Sequence, residues 1–274
     1  MTIAMLPALF SGWLYSYTHV SHANVISVDA VVQSATTTPA ILASRGSSVP
    51  VRVPIFIYHS VYPDFGGETK NQKNYSVTPE EFDIQLKYLK DNGYTPVSLD
   101  DLERFVREGT TTVPKPVVLT FDDGWKNEFT NAFPLLKKYG FTATFFIFTN
   151  PIGKDSRFMT WEDVKELDAA GMTIGDHTLT HPYLTKLPIE KERAEVFESK
   201  KKLEEKLGKT VTHFASPFGQ SNEQLIRILR EAGFTTGRTT YWGAMHSKED
   251  LMSLSGFLVE RDIKKFEAIL LRAK

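Results

Sequence analysis

Val117-Val118-Leu119-Thr120-Phe121-Asp122-Asp123-Gly124 decides how the rest of the chain is read. A β-branched and apolar run of this length reads as a buried strand, and it stops on two carboxylates and a glycine. Successive side chains of a strand point to opposite faces, so two adjacent aspartates cannot share one task while the chain stays extended. Gly124 permits a turn there, which lets one carboxylate hold a cation while the other faces a reactant. Alone, the stretch reads first as a solvated strand-to-helix loop in which one aspartate caps the next helix. Its surroundings change that balance.

Outward from this strand the chain repeats one punctuation. Asn92-Gly93-Tyr94-Thr95, Tyr139-Gly140-Phe141-Thr142, Ala170-Gly171-Met172-Thr173 and Ala232-Gly233-Phe234-Thr235 each place a glycine where a helix can end in a left-handed cap. An apolar residue and a threonine then open a strand. Leu207-Gly208-Lys209-Thr210 is a looser copy. Helix starts are marked by Thr78-Pro79-Glu80-Glu81, Thr160-Trp161-Glu162-Asp163 and Ser221-Asn222-Glu223-Gln224. A recurring αβ unit predicts parallel strands joined by helices. The strand candidates are 53–59, 95–98, 117–121, 142–148, 172–176, 211–216, 234–237 and 255–260. Residues 51–274 are close to the smallest size for a (β/α) barrel of seven to eight parallel strands, with a doubly wound open sheet as the alternative. Polar residues gathered at strand ends favour the barrel.

Thirty-two basic residues against 33 acidic ones leave no electrostatic case for nucleic acid. The absence of cysteine excludes disulfides, a thiolate nucleophile and thiolate zinc, so a metal must sit on histidine and carboxylate ligands. Residues 1–23 read as a signal peptide: Ile3 to Tyr17 is mostly apolar, and Ser21-His22-Ala23 resembles a small-x-small cleavage site. The first basic residue is Arg45, so the usual positive start is missing. An uncleaved membrane anchor is the alternative, with Pro7 and Gly12 making a poor span. Residues 24–50, rich in Ser, Thr, Ala and Val, read as a linker to one catalytic domain at 51–274. The expectation is a secreted or cell-wall-associated protein.

In a (β/α) barrel the active site lies where strands end and the following loops begin. Strand 53–59 ends at His59, and 117–121 runs into Asp122 and Asp123. Strand 172–176 leads into Asp176-His177-Thr178-Leu179-Thr180-His181-Pro182, and 211–216 ends in Ser216-Pro217-Phe218-Gly219. His177 and His181 stand four apart, a spacing that would put both imidazoles on one side of a helical turn. Two histidines and a carboxylate are a common set for catalytic zinc with an open position. Surface or capping histidines are the plainer reading of that pair taken alone.

Thr120-Phe121-Asp122-Asp123-Gly124 together with His177-Thr178-Leu179-Thr180-His181-Pro182 resembles the first two motifs of the polysaccharide deacetylases, the NodB-like domain of carbohydrate esterase family four. The resemblance covers about residues 51–260. It implies a distorted (β/α) barrel and metal-dependent removal of acetyl groups from N-acetylglucosamine polymers of the peptidoglycan, chitin-like or exopolysaccharide kind. By that resemblance Asp123, His177 and His181 are metal ligands, for Zn²⁺ or else Co²⁺ or Ni²⁺, and Asp122 is the general base. In His213-Phe214-Ala215-Ser216-Pro217-Phe218-Gly219 the Pro-aromatic-Gly end of the third motif is kept. Ala215, however, stands where many members carry the arginine that orients the catalytic aspartate. Some members hydroxylate the proline that Pro217 matches. Tyr241-Trp242-Gly243 is similar to the fourth motif, making Trp242, with Pro217 and Phe218, a substrate-binding candidate; a core or rim aromatic is the plainer reading. Leu254 to Asp262 lacks the usual histidine of the fifth motif. In the subgroup that includes the poly-N-acetylglucosamine deacetylases this motif moves to the first strand, and Ile57-Tyr58-His59-Ser60 resembles that arrangement, with His59 as general acid.

Three rivals stay open from sequence. A glycosidase also uses paired carboxylates, but across a cleft. A metallohydrolase of small amides would carry the same ligands. A non-catalytic glycan-binding module would explain Ala215.

Overall fold

The computed structural model describes residues 49–272. The expected leader at 1–23, and all but the last two residues of the expected linker at 24–50, lie outside the described residues. Eight parallel strands form the core: β1 (Ile55–Tyr58), β2 (Thr95–Pro96), β3 (Pro116–Asp123), β4 (Thr144–Ile147), β5 (Thr173–Asp176), β6 (His213–Ala215), β7 (Thr236–Arg238) and β8 (Phe257–Leu258). The main path runs β7-β6-β5-β4-β3-β1-β8, with β2 pairing only the start of β3. β1 and β3 are thus direct neighbours, in register from Ile55–Val118 to Tyr58–Phe121. In a regular barrel β2 would separate them. The chain just before β8 lies on β7 through an Arg238–Leu254 bridge and amide bonds to Gly237 and Thr239. The outcome is the expected distorted (β/α) barrel.

Period-two alternation explains both cores. On β3, Val117, Leu119 and Phe121 face the helices, together with Phe56, Phe145 and Phe214 from neighbouring strands. Val118 faces inward with Ile55, Phe146 and Ala215, and this inner column is closed at one end by Leu99, Leu102, Phe105 and Val106 of the helix Leu99–Glu108. That face of the strand continues through Thr120 to Asp122. The helix Pro79–Asp91 begins with the Thr78/Glu81 capping box expected from sequence, and Trp161–Ala169 with Thr160/Asp163. In the third expected cap it is Asn222 that accepts the Leu225 amide of the helix Glu223–Glu231. The glycines at 93, 140, 171, 208 and 233 all sit at positive φ where helices hand over to strands. Among the described residues no helix is long and apolar enough to cross a membrane.

Candidate active site

The end of β3 separates its two aspartates as the alternation requires. Asp122 stays on the inner face and is buried. Asp123 takes φ 85° and Gly124 φ 78°, so the strand turns sharply immediately after Asp122. A Cβ on Gly124 would lie 3.0 Å from Ile147 Cδ1, which leaves glycine as the fitting residue. The turn brings Asp123 Oδ1 to 3.2 Å from His181 Nε2 and 3.6 Å from His177 Nε2. One donor atom from each of the three residues falls within 4.8 Å of the others.

The electron pairs of this cluster converge. Trp125 Nε1 donates to Asp123 Oδ2 at 2.9 Å, whereas buried Oδ1 receives no hydrogen bond. His177 Nδ1 lies 2.7 Å from the Ala215 carbonyl, which can only accept, so Nδ1 carries the proton and Nε2 presents a lone pair. Burial lowers the His177 pKa to about 4 and keeps the ring neutral. Burial also works to raise the Asp123 carboxyl, but contact with His181 and the charges of His59 and His177 outweigh it and hold it well below the usual carboxylate range. A buried, unpartnered carboxylate oxygen facing imidazole nitrogens fits a divalent cation, and the nitrogen and oxygen donors suit zinc.

The His177–His181 segment differs from the helical turn expected from its spacing. It is an irregular loop, with Thr178 at φ 74° and His181 at φ 61°. Its amides go to side chains instead of a helix ladder. Asp176 Oδ1 accepts from Thr178 N at 2.7 Å, and Glu195 Oε2 accepts from Leu179 N and Thr180 N at 3.0 and 2.8 Å. Thr178 Oγ1 takes the amide of His181 at 3.0 Å. Burial pushes the Asp176 carboxyl up to about 7, against the hydrogen bonds from Ser199 and Thr178.

Arg238 fills the gap left by Ala215. The two residues are register partners on β7 and β6, and Arg238 Nη2 donates to both oxygens of Asp122 at 2.5 Å. Both partners are buried, and the guanidinium lies 5.3 Å from the Phe146 ring centre. Moving the arginine one strand along the barrel preserves its reach to the aspartate. Sequence reasoning missed it because it follows the strand expected to end at 237. An arginine directly after Thr235-Thr236-Gly237 was the available signal.

His59 Nε2 lies 3.9 Å from Asp122 Oδ2, with Tyr75 edge-on to its ring at 5.1 Å. Asp122, Asp123, His59, His177 and His181 all line one cleft of about 1110 Å³. Its walls carry the stacked pairs Tyr62–Phe65 and Tyr183–Phe218, and Trp125 also lines it. Phe218 reaches the cleft from a strained φ of 59°, beside Gly219, where a Cβ would fall 2.0 Å from Thr240 Oγ1. Pro217 is buried and does not line the cleft. Trp242 does not line it either: it is 68% exposed and packs edge-on to Phe257 at 4.9 Å. Of the three substrate-binding candidates, Phe218 is the one that lines the cleft. The aliphatic side chain lining the cleft is Leu258, 38% exposed on β8.

Comparison with known proteins agrees with this geometry. Residues 109–237 match the family described as polysaccharide deacetylase. YxkH of Bacillus subtilis (strain 168), named as a polysaccharide deacetylase, is 30% identical over 205 residues, covering 75% of this chain and 70% of that protein. The poly-beta-1,6-N-acetyl-D-glucosamine N-deacetylase of Staphylococcus aureus (strain MRSA252) is 28% identical over 201 residues, 68% of each chain. Among solved structures, the Streptococcus pyogenes deacetylase PplD in complex with acetate superposes with a TM-score of 0.73 at 28% identity, covering 82% of this chain and 98% of that one. IcaB from Ammonifex degensii gives 0.70 at 25% identity, covering 81% and 97%. By sequence and fold together, the chain belongs to the polysaccharide deacetylase family.

Proposed function

We propose that this protein is a metal-dependent N-deacetylase acting on N-acetylglucosamine residues of an extracellular polymer. The observation that carries the reading is the grouping of a pinned aspartate, a histidine and an Asp-His-His cluster in one open cleft. Asp123, His177 and His181 would hold the cation, which when bound supplies Lewis acidity to water and to the amide carbonyl. Asp122 accepts the proton of the attacking water as it adds to the carbonyl carbon. Arg238 grips both Asp122 oxygens, so the carboxylate keeps one orientation through the step. His59 Nε2 passes a proton to the amide nitrogen as the C–N bond breaks, releasing acetate and a free amine. Leu258 gives the acyl methyl an apolar neighbour.

The polymer reading draws on shape. A cleft of about 1110 Å³ exceeds the roughly 300–1,000 Å³ of ordinary small-molecule pockets and is walled by exposed rings suited to sugar faces. A near-neutral chain suits an uncharged glycan. Export follows from residues 1–23 read as a leader. Arg238 removes the one sequence argument for a decayed site, and a glycosidase would need free carboxylates across the cleft. The test is an acetate-release panel with zinc-reconstituted protein on poly-β-1,6-N-acetylglucosamine, chitin oligomers, peptidoglycan and monomeric N-acetylglucosamine. Acetate from a polymer without new reducing ends is expected. New reducing ends, turnover confined to the monomer, or no acetate from any substrate would overturn the proposal.

A further inference from the structure

The helix Ile189–Leu207 packs below the histidine loop and offers it two side chains one turn apart, Glu195 and Ser199. Glu195 takes the amides of Leu179 and Thr180 on Oε2, and the Thr180 hydroxyl on Oε1 at 2.6 Å. Ser199 Oγ lies 2.8 Å from both oxygens of Asp176, whose Oδ1 takes the Thr178 amide. Three successive amides between His177 and His181 therefore end on two carboxyl groups, one belonging to this helix and the other held by it. No sequence motif marked either helix residue.

A loop with its amides satisfied in this way has little freedom to form the helical turn its spacing allows. It is instead locked with Thr178 and His181 in left-handed backbone, a conformation costing on the order of 1–3 kcal/mol per residue unless its surroundings enforce it. Glu195 touches neither His177 nor His181 by any hydrogen bond described above. Its effect on them runs through the backbone between them.

We infer that Glu195, supported by Ser199 on the same helix, is a positioning residue that shapes the His177–His181 loop before the cation arrives and thereby sets its affinity. The inference rests on the metal reading of the site. Outer groups that orient ligands in this way typically change metal affinity by about 10–100-fold when removed.

The test uses the full chain freed of metal, with zinc affinity measured by competition against a chromophoric chelator. Glu195→Ala should bind zinc about 10–100-fold more weakly. Glu195→Gln, near in volume and keeping one acceptor oxygen, should fall between it and the wild type, and Ser199→Ala should weaken binding less than Glu195→Ala. In the metal-free protein, amide hydrogen exchange at Leu179 and Thr180 should quicken in Glu195→Ala, and excess zinc should recover turnover that limiting zinc does not. Wild-type zinc affinity in both Glu195 variants, or unchanged exchange at those two amides, would overturn the inference. Failure of the wild type to bind zinc would overturn the metal reading together with it.

Discussion

The two ends of the barrel use left-handed backbone differently. Where helices hand over to strands, the left-handed residues are mostly glycines, at 93, 109, 140, 171, 208 and 233, and an added Cβ would meet nothing within 4 Å at any of them except Gly109, where the Val49 carbonyl oxygen lies 3.7 Å away in ordinary contact. Space is free there, and glycine serves the dihedral angle alone. Lys115, at φ 44° before β3, is the exception. Where strands hand over to helices, Gly124 and Gly219 are joined by Asp123, His181 and Phe218, whose side chains line the cleft, and by buried Thr178, whose hydroxyl takes the His181 amide. One end resolves a backbone need with the residue that costs least. The other accepts strain in order to aim particular side chains. In such barrels stability resides at the first end and chemistry at the second.

That contrast can be broken experiment by experiment. Asp122→Asn should lower the acetate-release rate by about 10²–10⁴-fold while metal analysis finds the cation retained; substantial turnover would remove Asp122 from the base role. Arg238→Ala should affect both rate and stability, since it strands a buried carboxylate, at a cost of about 3–5 kcal/mol in urea unfolding. Unfolding at the wild-type midpoint would mean that the ion pair does not hold this end together. His59→Ala should reduce kcat by about 100-fold with the urea midpoint nearly unchanged, and an unaffected rate would reduce His59 to a wall residue. Gly140→Ala, at the opposite end, should cost about 1–2 kcal/mol of stability and leave kcat untouched. A fall in kcat there would show the ends to be coupled. Trp242→Ala should do least, shifting stability by no more than about 0.5 kcal/mol and leaving KM unchanged. A raised KM would return Trp242 to substrate binding.

Much of the fold was legible because its signals are local. Each of the eight expected strands overlaps an observed one, and the glycine punctuation marks real helix ends. The extent of the strands was less legible: 95–98 shrinks to Thr95–Pro96, and 234–237 shifts to end on Arg238. Strand length depends on which neighbour is available to pair, and β2 meets only two residues of β3. In the site, Asp122, Asp123, His59, His177 and His181 could be picked out because each closes or follows a strand. The shape of the histidine loop could not, because its amides are taken by Glu195, a residue 14 positions beyond His181 on a different element.

The chain's own pattern determined the alternation that parts Asp122 from Asp123, the handover of strand to loop at Gly124, and the residue types able to hold a cation. These follow from backbone geometry and side-chain chemistry within a few residues. Only the tertiary structure decided what holds Asp122. Its partner is 116 residues away, at the strand position level with Ala215, and neither residue signals the other along the chain. A guanidinium needs only to reach the carboxylate, and a curled sheet of parallel strands allows that reach from the next strand as well. Position in space, set by register between strands, is what a linear reading lacks.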